Sequence, residues 1–310
     1  MRRDLTRRAF LERAACAGTL LTLSWPASAA DGMYVSLNGS LTRQMAWPEF
    51  VRLASKLGYG GVDVNFNAAK TDGVEATLAL LKAANVKLAI ANLPFPFATP
   101  DEAAFQDGLK QLDDNAKFAA AIGLNRFMAV MSPASPVPKE ERYNFVKARV
   151  TAIAEVLDRS KIRLGLEFLG PMYFRSNEKN PHTFIYTLPE TVALATECGS
   201  NVGVVLDAWH WYHSGGTTAE IVAAGKSRIV HVHVSDARSA PPEAVRDNQR
   251  HMPGEGVIDL IGFFQALKKI GYVDGVSPEP LGRVPQDMPA EDGAKLGLET
   301  TLAVMKKAGV

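Results

Sequence analysis

Residues 163–170 read RLGLEFLG, a short apolar run broken near its end by one acid, Glu167. The run follows EERYNFVKARVTAIAEVLDRS (140–160), whose apolar residues recur at helical spacing. It precedes a turn at Gly170-Pro171 and a second helical pattern that starts at Pro189. The same strand–turn–helix unit recurs along the chain. Strands are expected at MYVSLNG (33–39), GVDVNF (61–66), KLAIANLPF (87–95), RFMAVMSP (126–133), RLGLEFLG (163–170), NVGVVLDAW (201–209), IVHVHVSD (229–236) and GVSPEP (275–280). They are short and rich in Val, Ile and Leu, as strands covered on both faces must be. Helical stretches such as WPEFVRLASKLG (47–58), VEATLALLKAAN (74–85) and EAAFQDGLKQLDDNAKFAAAIG (102–123) lie between them. Pro48 and Pro189 sit at helix starts, where a missing N–H is harmless, and Gly58, Gly123, Gly199 and Gly271 follow helices, where a left-handed cap is expected. Eight such units predict a single-domain α/β fold, the (β/α)₈ TIM barrel. An open doubly wound sheet would carry a glycine-rich first turn, and SLNGSLTRQ (36–44) has no G-x-G-x-x-G.

In a parallel barrel all strand ends meet on one face. Glu167, Asp207, His233 and Glu279 end the fifth to eighth strands, which are adjacent staves. Any one of them alone reads as readily as a core residue satisfied by a neighbour. Four together, with no buried Lys or Arg in those strands to compensate them, read as a cage for one divalent metal ion, because an unpaired buried charge is too costly. Three carboxylates and an imidazole suit Mn²⁺, Mg²⁺, Zn²⁺ or Co²⁺.

The N-terminal residues read differently. MRRDLTRRAFLERAACAGTLLTLSWPASAA (1–30) has a basic start, an apolar stretch from Ala14 to Leu23, and an A-x-A site at Ala27-Ser28-Ala29. That is the pattern of a cleaved signal peptide, with the cut after Ala29 or Ala30. Thr6-Arg7-Arg8-Ala9-Phe10-Leu11 resembles a twin-arginine export signal. The apolar stretch is shorter than the ~20 residues of a spanning helix, so no stable membrane anchor is expected. The expected division is a signal peptide at residues 1–30, removed by cleavage, and the barrel at 31–310. The expected location is periplasmic or secreted, with the twin-arginine export machinery as a partner. Without residues 1–30 the net charge falls from +1 to about −2, which leaves no basic surplus for a nucleic-acid backbone. Cys198 is then the lone cysteine, so no intrachain disulfide forms. Oligomeric state is left open, a homo-oligomer included.

Five motifs carry a resemblance over nearly the whole of 31–310. They are L-E-F (166–168), L-D-A-W-H (206–210), H-V-H-V-S-D (231–236), R-H-M-P-G-E-G (250–256) and P-E-P (278–280). The chain resembles the xylose isomerase-like barrels, the sugar isomerase/epimerase group that also contains ketohexose 3-epimerases, inosose dehydratases and apurinic endonucleases. The resemblance implies that Glu167, Asp207, His233 and Glu279 bind one divalent metal, Mn²⁺ first among the candidates. It implies further that Glu167 and Glu279 are the acid/base pair and that His210 and Arg250 contact the oxygens of a small carbohydrate. The physics is consistent: a proton beside a carbonyl is removed by a carboxylate, and the enediolate is stabilised by a Lewis acid and fixed donors. The implied activity is a metal-dependent sugar isomerase or epimerase acting on a sugar or keto-sugar. A lyase or dehydratase acting on a keto-inositol or 3-keto-glycoside is the alternative, since it starts with the same proton abstraction. A non-catalytic sugar-binding protein is a third reading. DNA repair is excluded because the second and third strand ends, VNFNAAK and IANLPF, lack the histidines of a trinuclear zinc site.

Several residues stay open. Trp209, Trp211 and Tyr212 either pack under the loop after strand six or stack on a sugar ring, Trp209 being the substrate-side candidate. His231 reads as structural or as support for His233, and Asp236 as a partner for a ligand histidine or a loop cap. Relative to ketohexose 3-epimerases, Tyr173 replaces an acid, the segment after Glu167 is long and carries Arg175 and His182, and SAPPEAVRDNQ (239–249) is inserted.

Overall fold

A computed structural model describes residues 32–43, 45–285 and 287–310. The expected export signal at residues 1–30, with its cleavage site, lies outside the described residues. The strands are β1 (Tyr34–Leu37), β2 (Gly61–Val64), β3 (Lys87–Asn92), β4 (Arg126–Met131), β5 (Arg163–Phe168), β6 (Val202–Asp207), β7 (Ile229–Val234) and β8 (Gly275–Pro278). All pair in parallel, each with its neighbours in sequence, and β1 pairs with both β2 and β8 to close the barrel. Each strand lies inside one expected stretch. Most stop short of its C-terminal end, where the chain turns out of the barrel wall: at Asn65 the side chain already accepts from Ala68 N and opens a helix at Phe66–Asp72.

The long helices are those that periodicity predicts, including Trp47–Leu57, Val74–Ala84, Glu102–Ala121, Lys139–Asp158 and Leu188–Cys198. Gly58, Gly123 and Gly271 take positive φ, as a left-handed cap requires. Gly199 does not: its φ of 163° is extended, and that helix ends without a left-handed residue. Most of the buried apolar residues form one core between strands and helices. Ile90, Met128 and Val205 form a second, small cluster. Val205 is in register with Glu167 and with His231, so the three share the lumen side of the wall, with Val205 in the apolar plug.

Strand ends and one loop position the site. Asp207 ends β6 and also caps the next helix, Ala208–His213, accepting from Trp209 N at 2.7 Å and His210 N at 3.3 Å. Glu279 lies one residue past β8, and its N–H donates to Val234 O at 2.9 Å, which continues the pairing. Arg250 lies on the loop after β7, and Asp236 holds that loop. The buried Asp236 carboxylate accepts four backbone N–H groups, from Ala237 (2.8 Å), Ile258 (2.9 Å), Gly254 (3.0 Å) and Gly256 (2.9 Å). Its own backbone pairs with His251 in both directions. The two glycines of R-H-M-P-G-E-G follow from this: Gly254 has φ +86°, and a side chain at Gly256 would collide with Ala237 O and the Asp236 carboxylate. Asp236 therefore caps the loop and does not touch a histidine ring. Replacing it strands several buried donors at about 1–3 kcal/mol each. Asp236→Ala is expected to lower unfolding free energy by about 3 kcal/mol in urea denaturation, and a loss below about 1 kcal/mol would show that the loop is held by other means.

Candidate active site

Glu167, Asp207, His233 and Glu279 converge as their positions predict. One donor atom from each lies within 4.8 Å of the donors of the other three. His233 Nδ1 is 2.9 Å from Glu167 Oε1 and 3.6 Å from Glu279 Oε2. Glu167, Asp207 and His233 are buried, whereas the Glu279 side chain keeps 20% of its surface, so Glu279 is the member that faces the opening.

Beside the His233 imidazole, the permanent positive charge in this cluster comes from the loop, not the strands. The buried Arg250 guanidinium donates from Nη1 to Asp207 Oδ2 at 2.8 Å and Glu279 Oε2 at 3.2 Å. Its Nε donates to Asp247 Oδ1 at 2.7 Å, and its Nη2 to His210 Nε2 at 3.2 Å. The resemblance implies an Arg250 that holds sugar hydroxyls. In the structure its donors are engaged by the protein's own carboxylates and by His210.

Titration follows from these contacts. Burial works against charge on Asp207, but Arg250, His210 and His233 outweigh it and hold the carboxyl below the usual range. Burial pushes Glu279 up to about 7, with Glu167 and Asp207 adding to the shift against His233 and Arg250. Burial pulls His233 down, yet the Glu279 and Glu167 carboxylates reverse this and hold it up to about 10. His210 is lowered to about 3, first by burial, so it is neutral near pH 7. Arginine has no acceptor, so His210 Nε2 accepts and the proton sits on Nδ1. That Nδ1 is buried without a partner among the described residues, a donor left over for something else.

Trp209 is only 1% exposed and lies against the Arg250 guanidinium at 4.7 Å, so in this structure it supports the arginine. Trp211 packs on Phe263 at 5.3 Å, and Tyr212 is exposed. Arg175 spans Gly170 O and His213 O and lies over Tyr186, which ties down the long loop after β5. His182 is exposed in a two-residue strand (His182–Thr183) that pairs with Ala134–Ser135. Tyr173 accepts from Asp247 N at 2.9 Å, so the residue that replaces an epimerase acid instead braces the inserted loop. A cleft of about 490 Å³, lined by Tyr173, Arg246, Asp247, Asn248, Leu281 and Gly282, adjoins Arg250 and Glu279 through Asp247 and Leu281.

Two acids are absent from the sequence reading. Asp247 sits in the insertion, where nothing in the pattern marks it. Asp63 does carry a signal: it is the single acid inside the apolar run GVDV of β2. Its carboxylate accepts from Ser36 Oγ (3.0 Å), Ser277 Oγ (2.7 Å) and Asn38 Nδ2 (2.8 Å), and burial raises its pKa despite His233 and these donors. His231 donates into the same group through Ser277, so it supports the lumen and does not face the carboxylate cage.

The chain has relatives among known proteins. An inosose isomerase from Bacillus velezensis is 27% identical over 222 residues, covering 71% of this chain and 76% of that protein. The structure of a xylose isomerase domain protein from Alicyclobacillus acidocaldarius superposes with a TM-score of 0.82 at 27% identity, covering 90% of this chain and 100% of the other. The IOLI protein, whose structure holds a zinc atom, superposes with a TM-score of 0.75 at 23% identity, covering 89% of this chain and 99% of the other. The model of the xylose isomerase-like TIM barrel matches residues 51–306. The chain belongs to the xylose isomerase-like TIM barrel family.

Proposed function

We propose that this protein is a sugar isomerase or epimerase that works with one divalent metal ion, removing and returning a proton beside a carbonyl of an unphosphorylated sugar or keto-sugar. The observation that carries the reading is the buried cluster of three carboxylates and an imidazole, with one member, Glu279, shifted to about 7 and open to the mouth. The relatives point the same way: one is an inosose isomerase, and another, the IOLI protein, holds zinc.

The residues fit a metal. Ligand oxygens and imidazole nitrogens lie about 2.0–2.2 Å from such an ion, so a complete donor set spans little over 4 Å. The four donors here, within 4.8 Å of one another, need only a small contraction. Without an ion, a proton on His233 and the guanidinium of Arg250 offset much of the charge of the three carboxylates. Glu167, Asp207, His233 and Glu279 would hold the ion, with Mn²⁺ favoured and Mg²⁺, Zn²⁺ or Co²⁺ as alternatives. Bound there, it would supply Lewis acidity to the anion left by proton removal.

The protein's own groups divide the remaining work. Asp207 and His233 only hold. Glu279, the most open of the four, exchanges a proton at the mouth. Glu167 is the second proton carrier. Neutral His210 offers its unpartnered Nδ1–H to a substrate oxygen. Arg250 keeps Asp207 charged, and Trp209 backs Arg250. The export reading belongs to the same proposal: residues 1–30 direct the chain through the twin-arginine machinery, and 31–310 act in the periplasm or outside the cell on sugars met there.

Glu279→Gln preserves shape and removes the proton carrier. It is expected to keep its circular dichroism spectrum and to lose about 10²–10⁴-fold in turnover. NMR of keto-sugars and 3-keto-glycosides in D₂O should show no exchange of the substrate proton; undiminished exchange would sink the acid/base assignment. With the wild type, an epimer or isomer supports the proposal, whereas an unsaturated product or released aglycone assigns a lyase.

His233 and Glu279 both bind protons more tightly folded than unfolded. Their stabilisation of the metal-free protein is complete below the unfolded values. It is lost as pH rises through about 7 for Glu279 and about 10 for His233. Between about pH 6 and about pH 9 the melting temperature of the metal-free protein should therefore fall. Saturating Mn²⁺ should flatten that fall and release protons in calorimetry, because the ion replaces the proton on His233. A metal-insensitive melting curve would contradict the site.

A further inference from the structure

His233 has two ring nitrogens, and only one is accounted for by the carboxylate cage. Nδ1 faces Glu167 and Glu279, while Nε2 is buried without a hydrogen-bond partner among the described residues. An imidazole that ligates through one nitrogen ordinarily donates the other N–H to a carboxylate, a carbonyl or water, which fixes tautomer and ring orientation. The candidate acceptor, Asp63, comes from β2, three staves from β7 around the barrel. An Asp63 oxygen, a His231 nitrogen and a His233 nitrogen lie within 4.8 Å of one another. No direct His233–Asp63 hydrogen bond is present among the described residues, and this limit leaves room for the roughly 4.5 Å spanned by two hydrogen bonds that meet at one water.

The trio does not make a second cation site. Both Asp63 oxygens are already engaged by the donors Ser36, Ser277 and Asn38. The Ser277 hydroxyl donates to Asp63, so it accepts from His231 Nε2 at 2.8 Å. His231 therefore carries its proton on Nε2 and has no lone pair there for a metal. These donors fix a carboxylate acceptor in the lumen, which suits a partner that offers an N–H.

We propose that Asp63 is a positioning residue for the metal-binding imidazole: a buried water accepts the Nε2–H of His233 and donates to Asp63, which keeps the Nδ1 lone pair turned toward Glu167, Asp207 and Glu279. Ser36, Asn38 and Ser277 hold the carboxylate in place, so β1, β2 and β8 act on a ligand carried by β7. The inference rests on the reading of the four-residue cluster as a metal site.

The test is Co²⁺ titration of the metal-free protein, followed by visible absorption and calorimetry, for wild type, Asp63→Asn and Asp63→Glu. Asp63→Asn should bind Co²⁺ about 10–100-fold more weakly, with an altered d–d spectrum, and Asp63→Glu should recover part of the affinity. Lower thermal stability with unchanged Co²⁺ affinity and spectrum would mean that Asp63 only ties strands together, and would overturn the proposal. Should the variants fail to fold, ¹⁵N-histidine NMR of the Zn²⁺-loaded wild type decides. A slowly exchanging proton on His233 Nε2 supports the proposal, and metal on Nε2 or an unprotonated Nε2 refutes it. A wild type that binds neither Co²⁺ nor Zn²⁺ would overturn the metal reading itself, and the positioning role with it. A wild type that binds while Asp63→Asn binds equally well would remove only the positioning role.

Discussion

Three carboxylates cannot share one buried pocket unless positive charge sits among them, and the guanidinium of Arg250 is where the fold supplies it. Breaking a buried ion pair costs about 3–5 kcal/mol, because the partner is left charged and dry. Arg250 serves Asp207, Asp247 and Glu279 at once, so its removal would leave three acids to repel one another. Its position is correspondingly over-determined. Trp209 lies against the guanidinium, and Asp236 holds the R-H-M-P-G-E-G loop by four backbone N–H groups. The glycines of that loop exist to let the backbone reach Asp236. The motif is thus a device for delivering one cation to one point, built by residues with no direct part in the chemistry.

A charge-balanced cluster of this kind has two ways to be neutral enough. In one, His233 carries a proton and Arg250 pairs with two of the cage acids. In the other, the proposed divalent cation would take the place of the proton, with His233 as a ligand through the same Nδ1. The geometry hardly needs to change between them, because the donors already stand within 4.8 Å. This economy explains why the three acids and His233 are spread over four staves. Each backbone is rigid, so the donor set is held by the barrel wall whether or not an ion is present.

Most of the fold is legible from the chain because a parallel barrel writes itself as a repeat. Eight apolar runs alternating with helical patterns leave few topologies, and closure follows from their number. The four cage residues are legible for the same reason: a polar residue at the end of an apolar strand must face something. Other features depend on direction and distance, which a linear pattern does not carry. Trp209 and Arg250 both follow strands, and nothing in their spacing shows that the indole would back the guanidinium instead of a ligand. Asp247 lies in an insertion with no periodicity at all. Gly199 follows a helix like Gly58, yet its extended φ depends on how the chain must enter β6.

Asp63 is the instructive intermediate case. An acid inside GVDV breaks the rule that doubly covered strands are apolar, and that breach is visible in the sequence. What the breach is for is visible only in three dimensions. Ser36 and Ser277 sit on the strands flanking the point where the barrel closes, and both donate to the same carboxylate oxygen. A carboxylate that merely sealed this seam could be replaced by an apolar side chain filling the same volume, since buried polar groups rarely exceed packed hydrocarbon in stability. A carboxyl held by three donors in this seam is accounted for on the proposal that a fourth group requires an acceptor there. The buried Nε2 of His233 is a group of that kind, and it belongs to the one cage residue that must choose between a proton and a metal.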